Sequence, residues 1–236
     1  EVTLRFLKTR KKDGFLNIIS IFSFIGISLG VAVLIIVMSV MNGFRTELIS
    51  KIVGFNAHAI VKPYQNIINN NNLEDSTLNK DVLMVLYSND GEAVILNKRN
   101  TKGILLKGYL ENDFKKLEIV KNKNFVGTGS LSDNSISIGQ ELSFSLNLDI
   151  EDTVTLMSPS GVQTIVGSLP KQETFKIQSI FDSGLSDFNE NVAYINLKSL
   201  ENLFDKQIDQ RFLEFYFKNP QKIEKYKLEL SNLFQN

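Results

Sequence analysis

GFLNIISIFSFIGISLGVAVLIIVMSVMNGF, from Gly14 to Phe44, is a run of about thirty residues with no ionisable side chain, bounded by Asp13 and Arg45. A bilayer core is crossed by roughly 20 apolar helical residues, so the run spans a membrane and continues as helix beyond it. That reading organises the rest of the chain. It predicts a basic cytoplasmic flank over residues 1–13, a transmembrane helix with an extension over 14–55, and an extracytoplasmic domain over 56–236.

The flank sets the expected orientation. Arg5, Lys8, Arg10, Lys11 and Lys12 stand against only Glu1 and Asp13, and short segments rich in Lys and Arg stay on the cytoplasmic side. A cleaved signal peptide also starts basic, but its apolar core is usually about 7–15 residues and ends in small residues. Here the stretch is longer and ends in Met41 and Phe44. Within it, Gly26 and Gly30 form a Gly-x-x-x-Gly pair, with Ser23 one turn earlier. Small residues four apart let transmembrane helices approach closely. Val33, Val37 and Met41 continue the same face, which marks the helix as a member of a bundle.

Composition narrows the functional classes. Lys and Arg total 26 and so do Asp and Glu, so no general basic surface points to nucleic acid. Cysteine is absent, which removes disulfides, thiol catalysis and Cys-ligated metals. The sequence contains no Gly-x-x-x-x-Gly-Lys-Ser/Thr phosphate loop, so ATP is not expected to bind this chain. The single histidine, His58, sits in an apolar strand and reads as structural. Glu74 and Asp75, like Asp182, Asp187 and Glu190, read as solvated turns rather than a metal site. Neither a catalytic centre nor a metal centre is expected.

The fold class predicted beyond the helix is α+β, with a β-rich lobe and an α/β lobe. Strands are predicted at Ala57–Tyr64, Val82–Tyr87, Ala93–Asn97 and Gly103–Tyr109, with a short helix over Leu73–Lys80. Asn89-Asp90-Gly91 reads as a hairpin turn, because Gly supplies positive φ. A polar connection over Lys121–Ser135 leads to a helix over Gly139–Asn147 and a strand at Thr153–Met157. Ser158–Gln172 is turn-rich and precedes a strand at Phe175–Phe181. Strand Val192–Ile195, helix Leu197–Phe204, strand Phe212–Lys218 and helix Gln221–Phe234 then alternate, the last opened by Pro220. Alternation of this kind points to packed α/β layers.

Several stretches resemble the permease subunits of the lipoprotein-releasing ABC transporter, the LolC/LolE family of the MacB-type superfamily. They are Phe24–Ile35 running into Ser39-Val40-Met41-Asn42-Gly43-Phe44, then Gly54-Phe55-Asn56-Ala57-His58. Further along come Gly167-Ser168-Leu169-Pro170, Thr174-Phe175, Ile180-Phe181-Asp182-Ser183-Gly184-Leu185 and Ala193-Tyr194-Ile195-Asn196-Leu197. The resemblance implies a MacB-like periplasmic domain inserted between the first and second of four transmembrane helices, the other three lying outside this chain. It implies an inner-membrane permease that hands triacylated lipoproteins to the periplasmic carrier LolA. The partners it implies are a second permease subunit and a cytoplasmic ABC ATPase, which would hold the ATP and Mg; no cofactor is implied in this chain. The resemblance assigns Val33, Val37, Val40, Met41 and Phe44 to the lipid path, and Gly26 and Gly30 fit helix packing. Val166, Leu169, Pro170, Gln172 and Glu173 fall in the family's carrier-binding hook. The hook often carries an arginine where this chain has Glu173, which leaves carrier-binding and partner-type subunits both open. A MacB-type exporter, a cell-division-type permease and a membrane-anchored periplasmic scaffold or sensor share parts of this layout.

Overall fold

The computed structural model describes residues 14–63, 76–98, 100–164 and 167–234. The basic flank, the Asn69–Asn72 tract and Val166 lie outside the described residues. The chain divides after Ser50 into two compact units.

Helix α1 (Gly14–Phe55) runs for 42 residues. Phe22, Phe24, Ile27 and Leu29 point to different sides of it, and all are exposed. A helix apolar all round must be covered by lipid or by other helices, and Ile18–Phe55 is long and apolar enough to cross a membrane. Its final turn, from Lys51, belongs to the second unit. The orphan carbonyls that end any helix are met here by side chains that follow directly. Asn56 Nδ2 donates to the Ile52 carbonyl (3.2 Å), and His58 Nε2 lies 3.2 Å from the Val53 carbonyl.

The second unit is built on a mixed sheet of nine strands among the described residues. β2 (Val82–Asn97) and β3 (Asn100–Tyr109) form a long antiparallel pair. β3 pairs in parallel with β8 (Val192–Asn196), which meets β5 (Ser135–Gly139). β5 lies parallel to β7 (Gly167–Phe181), and β7 forms a hairpin with β6 (Thr153–Thr164). β6 returns to β2 through Val94–Met157, Ile95–Leu156 and Leu96–Thr155. The six strands thereby close a ring, which leaves them no free edge along the closed part. Its interior is filled by every strand in turn: Ile95, Leu106, Ile195, Ile138, Phe175 and Leu156 are fully buried. Helices α4 (Gln140–Leu146) and α6 (Leu197–Phe204) add Leu142 and Leu200 to the same core.

Outside the ring the sheet continues through β9 (Phe212–Phe217) to β1 (Ala59–Val61). β9 is buried on both faces, so it reads as an almost continuous apolar run. Leu213, Phe215 and Phe217 face α7 (Ile223–Leu233), where Phe217 stacks on Tyr226 at 4.2 Å. On the other face Glu214 is buried, and its carboxylate accepts from Tyr109 (2.7 Å) and Tyr216 (3.1 Å), with Lys107 at 3.5 Å. Burial pushes both tyrosine hydroxyls above their ordinary range, and the neighbouring carboxylate adds to it.

Several expectations change. Asn89-Asp90-Gly91 is not a turn but the middle of β2, whose partner strand begins at Asn100, and Lys98 takes the positive φ (47°). Gly91 serves close packing instead: a Cβ there would lie 2.6 Å from the Phe204 ring. The first strand after the helix is confined to Ala59–Val61, with Tyr64 outside the described residues. Of the helix expected over Leu73–Lys80, residues 73–75 lie outside the described residues, and Thr77–Lys80 form a 3-10 turn. The polar connection over Lys121–Ser135 contains the short strand β4 (Val126–Gly127), which pairs with β7. The turn-rich stretch Ser158–Gln172 is mostly paired strand.

Candidate functional site

The ladder of the β6–β7 hairpin runs well past the part that closes the ring. Beyond Met157–Gln172 it continues through Ser158–Lys171, Gly161–Pro170, Val162–Leu169 and Gln163–Ser168 to Thr164–Gly167, with an irregularity between Ser158 and Gly161. β2 reaches β6 only as far as Met157, and β5 reaches β7 only from Lys176. Among the described residues the distal arms therefore pair only with each other, and Pro170 withholds no ladder bond on its unpaired side. This hairpin carries Leu169, Pro170, Gln172 and Glu173 of the expected hook residues. Leu169 is 59% exposed, Pro170 and Gln172 are exposed, and Glu173 is half-buried. Val166 lies outside the described residues.

Alternation along β7 separates two roles. Lys171 and Glu173 share the side that becomes Phe175 and Ile177 inside the ring, and they anchor the hairpin's foot. The Lys171 ammonium donates to the Asn202 carbonyl of α6 and lies 3.7 Å from Glu173. Lys171 is thus engaged inside the domain. Gln172 faces the other way, 3.5 Å from the Met157 sulfur. An open groove of about 640 Å³ lies beside this foot, walled by Val94, Leu105, Met157, Pro159 and Pro170, with Gly103 in its lining.

At its other end β7 enters a second cluster. Phe181 is fully buried with Phe55 and Tyr194. Phe188 packs on Phe55 (ring centroids 4.6 Å apart) and on Phe181 (6.2 Å). Asp182, read from sequence as a solvated turn, organises this junction. Its carboxylate accepts from Asn124 (2.8 Å), the Gly184 amide (2.7 Å) and Asn189 (2.8 Å). Those bonds, led by Asn124, hold it below the ordinary carboxylate range. Gly184 adopts φ 74°, the left-handed conformation that favours glycine. Two of the sequence stretches that carried the family resemblance, residues 54–58 and 180–185, therefore meet in space.

His58 completes the junction. The Phe217 amide donates to Nδ1 at 2.8 Å, which leaves the proton on Nε2 to meet the Val53 carbonyl. Its ring lies near Tyr216 and Phe217. Burial holds its pKa below the ordinary value, so the neutral ring joins the end of α1 to β9. No group of three or more His, Cys, Asp or Glu side chains that could hold a metal occurs among the described residues. Val33, Val37, Val40, Met41 and Phe44, the residues expected to line a lipid path, are all about half exposed or more on α1. Added Cβ atoms at Gly26 and Gly30 would meet nothing within 4 Å.

Comparison with known proteins places these features in a family. The model of the MacB-like periplasmic core domain matches residues 20–233. The chain is 26% identical over 207 residues to "Lipoprotein-releasing system transmembrane protein LolC" of Xylella fastidiosa, covering 86% of this chain and 50% of that protein. It is 43% identical over 58 residues to "Lipoprotein-releasing system transmembrane protein LolE" of Haemophilus influenzae, which is 25% of this chain and 14% of that protein. Among solved structures, the periplasmic region of MacB from Actinobacillus actinomycetemcomitans aligns with TM-score 0.45 and 12% identity, covering 76% of this chain and 86% of that one. The chain spans about half the length of the LolC relative it matches.

Proposed function

This chain belongs to the family of MacB-like periplasmic core domains, and from that premise we propose that it works in a lipoprotein-releasing ABC permease of the LolC/LolE type. In this reading α1 lies in the inner membrane with its N-terminus in the cytoplasm, and the second unit stands in the periplasm. ATP is hydrolysed by a separate cytoplasmic subunit, and a second permease subunit completes the bundle. The observation that carries the reading is the similarity of 86% of the chain to a LolC protein. The projecting hairpin adds to it, since it offers exposed apolar groups where the family resemblance puts the hook.

The physical task is the extraction of acyl chains. Each buried CH₂ contributes about 0.8 kcal/mol, so a multiply acylated anchor does not leave the bilayer unaided. An apolar helix face, Val33, Val37, Val40, Met41 and Phe44, lets acyl chains move along the protein without exposure to water. Gly26 and Gly30 let a neighbouring helix approach closely. At the far end, Leu169 and Pro170 present apolar surface to the carrier LolA, with Gln172 as a polar contact beside them. Glu173 and Lys171 act at the hairpin's foot.

Photo-crosslinking side chains placed singly at Leu169, Gln172, Val37 and Met41 test this in cells. The first two are expected to trap the carrier, and the last two to trap acylated lipoprotein. Absence of carrier adducts at both hairpin positions would remove the hook assignment. Absence of adducts at all four would overturn the function.

A further inference from the structure

β7 is a single strand with the hook at one end and the foot of α1 at the other. Of its 15 residues, Gly167–Lys176 are paired to β6 and Lys176–Phe181 to β5. The strand is thus held along most of its length, roughly 50 Å at the usual rise, with breaks in register opposite Ser158–Gly161 and at Gln178. One residue beyond it, Asp182 ties its own loop to the 122–124 segment and to Asn189. Its carboxylate holds Asn124, Gly184 and Asn189, and its own carbonyl accepts from Asn122 at 2.9 Å. Asn189 returns the grip by accepting from the Ser183 amide (2.9 Å) and hydroxyl (2.6 Å). The neighbouring Phe188 ring rests on Phe55, in the last turn of α1. Lys51, one turn earlier in α1, reaches within 3.7 Å of where a Cβ on Gly184 would stand.

We propose that Asp182 is a positioning residue: through Asn189 and its neighbour Phe188 it holds the end of β7 against the last turn of α1, so that displacement of that turn reaches the hook along β7. The proposal rests on the transport reading above. The cluster stabilises a loop, but its arrangement goes further than loop formation requires. It brings the 122–124 segment and Asn189 together at one carboxylate directly after the hook strand, and the helix foot joins through the contact of Phe188 with Phe55.

The test uses the full-length permease assembled with its partner subunit and ATPase in proteoliposomes, with the carrier supplied. Asp182→Ala is compared with Asp187→Ala, an exposed acid in the same loop. Coupling free energies between sites commonly correspond to about 5- to 150-fold effects. Asp182→Ala is accordingly expected to lower lipoprotein released per ATP hydrolysed by roughly tenfold, with ATP turnover changed less than about twofold. Asp187→Ala is expected to change neither. A second readout is amide hydrogen exchange over residues 168–173. It should respond to a non-hydrolysable ATP analogue in wild type and not in the variant. If Asp182→Ala does not assemble, Asp182→Asn carries the same test, because it keeps the side-chain volume while setting an amide against Asn124. Release and hydrolysis that fall in proportion, or an unchanged exchange response, would overturn the clasp. A wild-type complex that turns over ATP and releases nothing would instead overturn the transport reading, which the exchange response does not depend on.

Discussion

His58 shows how much a single residue implies when its partners are known. A lone imidazole in an apolar strand offers no catalytic partner, so the structural role could be read from sequence; the partners that define it could not. The Val53 carbonyl is five residues away, but the Phe217 amide is 159 residues away, and no local pattern reports that contact. Removing the ring with His58→Ala leaves both groups without their bond and is expected to cost about 1–3 kcal/mol, measured by thermal or denaturant unfolding. Because folding holds the neutral form, the folded pKa lies below the ordinary 6.5. The unfolded chain then binds the extra proton first, so this contribution is complete above pH 6.5 and declines as pH falls below it. A unfolding series from pH 7.5 to 5 should show a loss in wild type that is smaller in His58→Gln. Gly91 makes the opposite point. Its neighbours Asn89 and Asp90 spell a hairpin, yet the Phe204 ring, more than a hundred residues later, decides its role. Gly91→Ala is expected to cost about 1–3 kcal/mol by overpacking, where a turn glycine would have cost through its backbone instead.

Among the elements, helix Leu197–Phe204 and the strands at Val192 and Phe212 follow the periodicity read from sequence almost residue for residue. Their patterns are set by a locally consistent buried face. The β6–β7 hairpin escaped that reading because Ser158, Pro159, Gly161, Gly167, Ser168 and Pro170 carry turn chemistry. All but Pro159, which falls in the irregularity between Ser158 and Gly161, nevertheless pair, since among the described residues each distal arm has one neighbour and tolerates proline at its free side. Asp182 was hidden for a related reason, since an Asp two residues before Gly resembles any solvated turn until Asn124 and Asn189 are seen to converge on it. An element that pairs only with itself can be shortened without touching the ring. Deleting residues 161–168 and closing the hairpin is expected to shift the melting temperature by less than about 4 °C, the equivalent of roughly 1 kcal/mol, and to abolish carrier crosslinking from Gln172. A large fall in melting temperature would mean that the hairpin helps hold the ring. In α1, Gly26→Leu with Gly30→Leu is expected to reduce recovery of the assembled complex on purification, because bulky side chains prevent close helix approach.

Across the whole molecule, the uncharged run at Gly14–Phe44 and the mixed α/β domain were both evident from sequence. Ring closure was not. It depends on β2 meeting β6 about sixty residues later and on β3 meeting β8 in parallel, pairings chosen by tertiary packing rather than local preference. The same closure gives the domain a stable body from which a hairpin projects and into which the last turn of a long apolar helix is packed. The most direct test of the transport account measures acylated lipoprotein leaving proteoliposomes that contain the complete permease, its partner subunit and the ATPase. The account predicts ATP-dependent appearance of lipoprotein in soluble, carrier-bound form, abolished by shortening the hairpin. Lipoprotein that stays in the membrane while ATP is hydrolysed and carrier is present would contradict it.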